Sequence, residues 1–330
     1  MSLRIAVDAM GSDSCPAPDV AGAILAAKEF GDRIFIVGDE ACIRPELVKH
    51  ETKGLDLEVV HAPDIITMED KPSAVGKDKP KSSMHVGMRL VHDGMADAFV
   101  TAGNTGAALA IATLYTLKRI PGVKRPALAG TIRLGDIAVT VLDVGANADS
   151  KPDWLAQFAL MGETYARLSL KIDRPRVGLL SNGEEDGKGN DLVREAGALI
   201  RELPLNFVGN IEPRELLENG ADVVVADGFV GNIMLKSLEA ATRAMGNLIR
   251  SEIKRNPITT LGGALARPAF RSVYRQIDPF EVGGAPLLGI NGVVIIGHGR
   301  SNQIAIKNAV GQARKTVLGK VIDAIASGLH

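Results

Sequence analysis

A mostly parallel α/β sandwich is the fold class that this sequence predicts, and three observations predict it. Short β-branched runs recur along the chain; a Gly/Asn/Asp loop follows each; an Ala/Leu-rich stretch of helical character comes next. In chain order, strands are expected at 4–7, 34–37, 57–60, 98–101, 177–180, 222–226 and 293–296. Helices are expected at 20–30, 83–92, 105–117, 153–168, 191–201 and 303–325. Two runs between 127 and 142 are joined by Leu134-Gly135-Asp136, a turn that makes an antiparallel hairpin. The uncharged run 98–117 is long enough for a membrane span, but Thr101-Ala102-Gly103-Asn104-Thr105-Gly106 would lie at the bilayer centre. It therefore reads as strand, tight loop and helix. Residues 233–276 depart from the alternation and read as a long helical hairpin with breaks at Asn256-Pro257 and Gly262-Gly263. No linker or composition shift divides the chain, so residues 1–330 are read as one domain with the hairpin projecting from it.

Composition narrows the function. The 38 Lys+Arg and 39 Asp+Glu of these 330 residues leave a formal net charge of −1, so no global field draws nucleic acid. The start, Met1 to Asp8, holds too short an apolar stretch for a secretory signal, and Cys15 and Cys42 cannot make a disulfide framework. A reducing cytoplasm is the expected location.

Ligands of parallel sheets bind beyond the carboxyl ends of the strands. Five junctions there combine Gly with Asx or Thr: Asp8-Ala9-Met10-Gly11, Thr101 to Gly106, Asp143-Val144-Gly145-Ala146-Asn147, Ser181 to Asn190, and Asp227-Gly228-Phe229-Val230-Gly231-Asn232. Each alone could be a turn and a helix cap. Together, close backbone approach and free N–H groups at helix starts suggest a phosphate cradle. No G-x-G-x-x-G follows the first strand, and the loop at Lys188 lacks the spacing and the Ser/Thr of a P-loop. G-x-S-x-G and H-E-x-x-H are also missing. Dinucleotide, NTP-hydrolysing, serine-hydrolase and zinc-hydrolase readings fall. Among six histidines, His298 alone sits at a strand end between glycines. What remains is anion-binding backbone, lysines and carboxamides without a strong base. That inventory suits a nucleophile already ionised at neutral pH, such as inorganic phosphate attacking an activated acyl group.

At these residues the sequence resembles the bacterial phosphate acyltransferase family, PlsX. The resemblance rests on Ile5 to Gly11, Lys81-Ser82-Ser83-Met84, Ala102 to Ala107, Arg125-Pro126-Ala127, Leu142 to Asn147, Lys188-Gly189-Asn190, Asp227 to Lys236, and His298-Gly299-x-Ser301. It implies a three-layer α/β/α sandwich like that of phosphotransacetylase and the isocitrate/isopropylmalate dehydrogenases, assembled as a homodimer. It also implies transfer of a long-chain acyl group from acyl-carrier protein to inorganic phosphate, giving acyl phosphate for phospholipid synthesis without metal or organic cofactor. Lys188, Lys236, Asn104, Asp227 and Asn232 are the catalytic residues expected on this basis. Asp8, Gly11, Gly103, Thr105, Gly106, Asn147, Gly189, Asn190, Gly228, Gly231, His298 and Ser301 are expected to hold substrate or phosphate.

The chain departs from the family's Gly-Gly-Asp-His at Gly11-Ser12-Asp13-Ser14, where Ser12 is expected to strain a loop that favours Gly. Alternatives of other classes are a decarboxylating dehydrogenase on the same fold and a membrane-associated scaffold with a vestigial site. Lys118, Arg119, Lys124 and Arg125 form a local basic surface suited to acidic carrier protein. The uncharged hairpin tip 258–266 is flanked by Arg250, Lys254, Arg255, Arg267, Arg271 and Arg275. It reads two ways, as an insertion into an anionic membrane from which product would pass to a membrane glycerol-phosphate acyltransferase, or as a face covered by a second copy of the chain.

Overall fold

The computed structural model describes residues 2–277 and 282–328. Its strands are β1 (Arg4–Asp8), β2 (Arg33–Gly38), β3 (Leu57–His61), β4 (Ala98–Thr101), β5 (Ala127–Leu128), β6 (Gly130–Leu134), β7 (Ile137–Leu142), β8 (Arg176–Leu180), β9 (Asn206–Ile211), β10 (Val223–Val225), β11 (Ala285–Leu288) and β12 (Val293–Ile296). Its helices are α1 (Ala17–Phe30), α2 (Glu40–Leu47), α3 (Pro72–Asp78), α4 (Ser83–His92), α5 (Thr105–Ala110), α6 (Pro152–Ser169), α7 (Asp191–Arg201), α8 (Pro213–Leu217), α9 (Gly228–Ile253), α10 (Pro257–Leu265), α11 (Arg267–Ile277), α12 (Gln303–Leu318) and α13 (Val321–Gly328).

The strands form two mostly parallel sheets, ordered β3-β2-β1-β4-β12-β11-β5 and β6-β7-β10-β8-β9, with helices packed on their faces. The fold is a three-layer α/β architecture. Alternation along β1 explains how both faces are covered: Ile5 and Val7 join a cluster with Val20, Ile24, Ile306 and Val310 of α1 and α12, while Ala6 points to the other side. That other side is continuous between the sheets, because Ala6, Phe99 and Val294 share one buried cluster with Val139, Val141 and Val224. A third cluster packs α6 and α7 on the outer face of the second sheet, through Leu155, Phe158, Tyr165, Ala196 and Ile200. The buried Tyr165 hydroxyl of α6 accepts from Gln312 Nε2 of α12 at 2.8 Å, tying the two helix layers together.

The expected strand-turn pair around Gly135 is present as β6 and β7, but 127–128 pairs with β11 in the first sheet instead. The chain changes sheet within Ala127–Gly130, and Val144 N–H donates to Leu128 O at 3.0 Å across that seam. The uncharged run 98–117 is β4, α5 and a π-helical turn, Ile111–Tyr115. The expected helix 303–325 is broken at Gly319–Lys320, where Lys320 takes φ 52°. The hairpin breaks at Asn256, which caps α10, but not at Gly262-Gly263. Gly263 lies inside α10 because its missing β-carbon admits Ile253 of α9, whose Cγ2 would stand 2.3 Å from it. No helix among the described residues is long and apolar enough to cross a membrane.

Candidate active site

Two buried aspartates end corresponding strands. In the first sheet Asp8 closes β1, where its carboxylate accepts from the Thr101 hydroxyl (2.7 Å), the Met10 N–H (2.9 Å) and Ser83. Burial pushes its pKa up against those donors. The Thr101 oxygen in turn accepts from the Gly103 N–H at 3.0 Å. Gly11 closes over this network, because a β-carbon there would stand 2.8 Å from Asp8 and 2.9 Å from Gly103 N. The segment resembling Lys81-Ser82-Ser83-Met84 lies beneath, with Met84 Cε 2.4 Å from the β-carbon position of Gly103.

In the second sheet Asp143 is fully buried and takes five donors: Leu128 N–H (2.9 Å), Gly145 N–H (3.1 Å), Ala146 N–H (3.0 Å), Asn147 N–H (2.7 Å) and the Asn147 carboxamide (2.9 Å). Burial raises its pKa while these donors favour the anion. The first turn of α9 is laid directly on this loop. A β-carbon at Gly231 would stand 2.0 Å from Asp143 O, and one at Gly228 2.3 Å from Asn147 O, so only glycine fits either position. Asp143 lies in the motif Leu142 to Asn147 but not among the expected site residues, because nothing in a lone Asp marks it as the acceptor for five groups.

The structure sorts the expected site residues into three groups. Asp8, Gly11, Gly103, Asn104, His298 and Ser301 gather at the ends of β1, β4 and β12. Thr105 and Gly106 open α5 just beyond, with Pro72 Cγ 2.6 Å from the β-carbon position of Gly106. Asn147, Asp227, Gly228, Gly231 and Asn232 gather at the ends of β7 and β10, where the Asn232 amide stands 3.2 Å from the β-carbon position of Gly145, and Lys236 follows two turns into α9. Helix α9 bridges these two groups. Its Leu235 and Leu238 pack on the cluster shared by both sheets, and the Lys236 charge reaches His298, whose pKa is lowered by burial, by Arg300 and by Lys236. The third group, Lys188, Gly189 and Asn190, follows β8, and no described contact joins it to the others.

Several of these side chains are already engaged. Asp227 caps α9, its Oδ1 accepting from Phe229 N–H and Val230 N–H at 3.0 Å each. Asn190 caps α7 through Val193 N–H at 3.0 Å, and Asn147 also donates to Pro126 O at 2.8 Å. Asn104 caps α5 through Ala107 N–H at 3.0 Å. Others are unspent. The buried hydroxyls of Ser181 and Ser301 have no hydrogen-bond partner, and the exposed ammonium groups of Lys188 and Lys236 form no ion pair among the described residues. In the Lys188 loop two of the neighbouring acids are drawn away, Glu184 to Arg214 (3.2 Å) and Asp186 to Arg201 (2.6 Å), while the lysine stem and the Glu185 carboxylate both lie over Gly183 without forming an ion pair.

Ser12 does not strain its loop, because it is not at positive φ. It is buried, and its hydroxyl donates at 2.5 Å to Asp19, a fully buried carboxyl whose pKa burial raises far above its usual value. Of the basic residues after α5, Lys124 is ion-paired with Asp153 and Arg125 stacks over Trp154 at 4.9 Å. The Arg119 guanidinium donates to Lys124 O, and Lys118 donates to Leu114 O. At the hairpin tip Ile258 is 83%, Leu261 65% and Leu265 78% exposed. Arg250, Lys254, Arg267 and Arg271 are exposed without ion pairs among the described residues, and the side chain of Arg275 lies outside those residues. No group of three or more His, Cys, Asp or Glu arranged for a metal ion occurs among the described residues.

Structures of similar fold include phosphotransacetylases. The Streptococcus pyogenes phosphotransacetylase superposes with a TM-score of 0.60 at 18% identity, covering 98% of this chain and 94% of that one. The EutD phosphotransacetylase of Staphylococcus aureus gives 0.59 at 17%, covering 95% and 94%. In sequence, the phosphate acyltransferase of Geobacter sp. (strain M21) is 47% identical over 99% of this chain and 93% of its own length. That of Acidobacterium capsulatum is 48% identical over 94% and 92%. A family profile described as "Fatty acid synthesis protein" matches residues 3–323. With its strand-end motifs, its fold and nearly its whole length in agreement, the chain belongs to the phosphate acyltransferase family, PlsX, and is an acyltransferase.

Proposed function

We propose that this protein transfers a long-chain fatty acyl group from acyl-carrier protein to inorganic phosphate, and that the acyl phosphate formed feeds phospholipid synthesis. The observation that carries the reading is the pair of exposed lysines without ion pairs among the described residues, Lys188 in the loop between β8 and α7 and Lys236 in the third turn of α9. A phosphate oxygen attacks the thioester carbonyl, a carbon–oxygen bond forms, and the carbonyl electrons collect on oxygen. Collapse of this oxyanion breaks the carbon–sulfur bond, and the carrier thiol leaves as thiolate and takes a proton from water. Phosphate is already anionic, so the protein's task is to neutralise charge and hold geometry. Lys188 serves the oxyanion, Lys236 serves phosphate, and Asn232 orients the reacting groups; no metal or organic cofactor enters this scheme. Release of free carrier protein from acyl-carrier protein should depend strictly on added phosphate. Release at equal rate without phosphate overturns the proposal.

The exposed basic surface of Lys118, Arg119, Lys124 and Arg125 supports docking of the acidic carrier protein. The protein is read as a cytoplasmic homodimer that touches the membrane peripherally, a location supported by the exposed Ile258, Leu261 and Leu265 and by the flanking Arg250, Lys254, Arg267 and Arg271, which form no ion pair among the described residues. Co-sedimentation with anionic liposomes should be lost in Leu261→Glu while activity in solution persists. Absence of wild-type sedimentation at low salt overturns the membrane contact.

A further inference from the structure

Between β3 and α4 the chain builds a closed strap. At its base Asp64 and Ser82 pair as a parallel bridge, and the Lys81 N–H donates to Asp64 Oδ2 at 3.2 Å. In its middle the Asp70 carboxylate accepts from the Thr67 N–H (2.7 Å) and from Lys79 Nζ (2.5 Å), and Lys79 also donates to Ile65 O at 2.7 Å. The Lys79 hydrogen bond holds the Asp70 carboxyl below its usual pKa. The strap includes α3, and its Ile66 and Val75 are buried in the core cluster shared by both sheets, so its underside is anchored while its apex lies over the strand ends.

The carbonyls of the strap's apex are gathered from outside by the side chain of Asn104. Asn104 Nδ2 lies 3.2, 3.3 and 3.1 Å from the carbonyl oxygens of Thr67, Met68 and Asp70, while its Oδ1 caps α5. Two amide hydrogens are shared among three carbonyls, so the carboxamide has no donor left for a substrate. The apex residue Met68 then reaches across to the β12–α12 loop. Its Cε stands 2.7 Å from the β-carbon position of Gly299, beside His298 and Ser301, yet Met68 is 42% exposed. Ile65, 36% exposed, continues the apolar surface.

We infer that Asn104 is a positioning residue that clamps the strap 64–82 across the site, and that Met68 at its apex is the apolar contact for the substrate's acyl chain. The second half rests on the acyl-transfer reading above. An unbranched, polarizable thioether adapts to a flexible chain without demanding one shape. Asn104 thus acts on the reaction through the strap rather than on the reacting atoms.

Two measurements test this. Asn104→Asp keeps the cap acceptor and removes the three N–H contacts, so the folded protein should be cut by trypsin within the strap, after Lys77 or Lys81, about tenfold faster than wild type. An unchanged rate overturns the clamp. In Met68→Gln the ratio of kcat/KM for long over short acyl donors should fall about tenfold, since a polar amide replaces the thioether against the chain. An unchanged ratio in the active variant overturns the acyl contact. A wild-type protein without phosphate-dependent release overturns the functional reading and the acyl contact with it, whereas the tryptic result still decides the clamp.

Discussion

Two loops flank the end of β10, one leaving β7 and one leaving β8, and both are written in Gly, Asx and small residues. They differ in where their hydrogen-bonding capacity goes. The loop after β7 turns inward: Asp143 collects five donors, Asn147 reaches back to Pro126, and α9 is pressed onto the result. The loop after β8 stays at the surface and pairs two of its acids, Glu184 and Asp186, with arginines of neighbouring elements. Lys188 is left exposed, without an ion pair among the described residues. A carboxylate whose every partner is internal sets a shape, whereas a cation without a partner is available to an anion from solution. Similar composition therefore serves two tasks, and free energy separates them, since one loop should govern stability and the other turnover.

The sharpest contrast comes from Asp143→Ala. Each buried N–H left without an acceptor costs about 1–3 kcal/mol, so removal of an acceptor shared by five groups should lower unfolding free energy by about 3 kcal/mol or more. Urea denaturation reads this directly; a loss of less than about 1 kcal/mol would show that the Asp143 network is not what holds the junction. Lys188→Ala should do the converse. Its midpoint should stay near that of wild type, because the residue is exposed and unpaired, while turnover falls at least about tenfold, roughly 1.4 kcal/mol of transition-state stabilisation. Wild-type turnover in that variant would remove Lys188 from the site.

Asp227, at the end of β10 between the two loops, gives the smallest effect and the finest discrimination. Asp227→Ala should cost about 1 kcal/mol of stability through loss of the cap of α9, and Asp227→Asn should restore it. Turnover then decides the remaining role. Unimpaired activity in Asp227→Asn assigns the residue to capping alone, and a fall in activity shows that its charge is needed.

Much of the fold was legible because local signals and burial agreed. Strands 98–101 and 293–296 and helices 83–92 and 191–201 were read with the bounds they have, since β-branched runs and capping Ser82 and Asn190 act within a few residues. Strands β9 and β11 were missed. Gly209 with φ 96° interrupts the run of the first, and Pro286 interrupts that of the second. The candidate residues were legible as types at strand ends, but their employment was not. Asn104 reads as a loop carboxamide, and nothing in its neighbours announces carbonyls more than thirty residues away.

The sequence by itself determined the layered α/β class, the strand-end placement of the motifs and the helical character of the hairpin, because backbone propensity and hydrophobic period are local quantities. Tertiary structure decided the rest. It split the strands into two sheets at Ala127–Gly130, made Asp143 the acceptor at that seam, brought Lys236 within electrostatic reach of His298, and folded the strap so that Met68 meets Gly299. These depend on which distant groups meet after hydrophobic faces pack, and a buried donor or acceptor must then take whatever partner that packing brings.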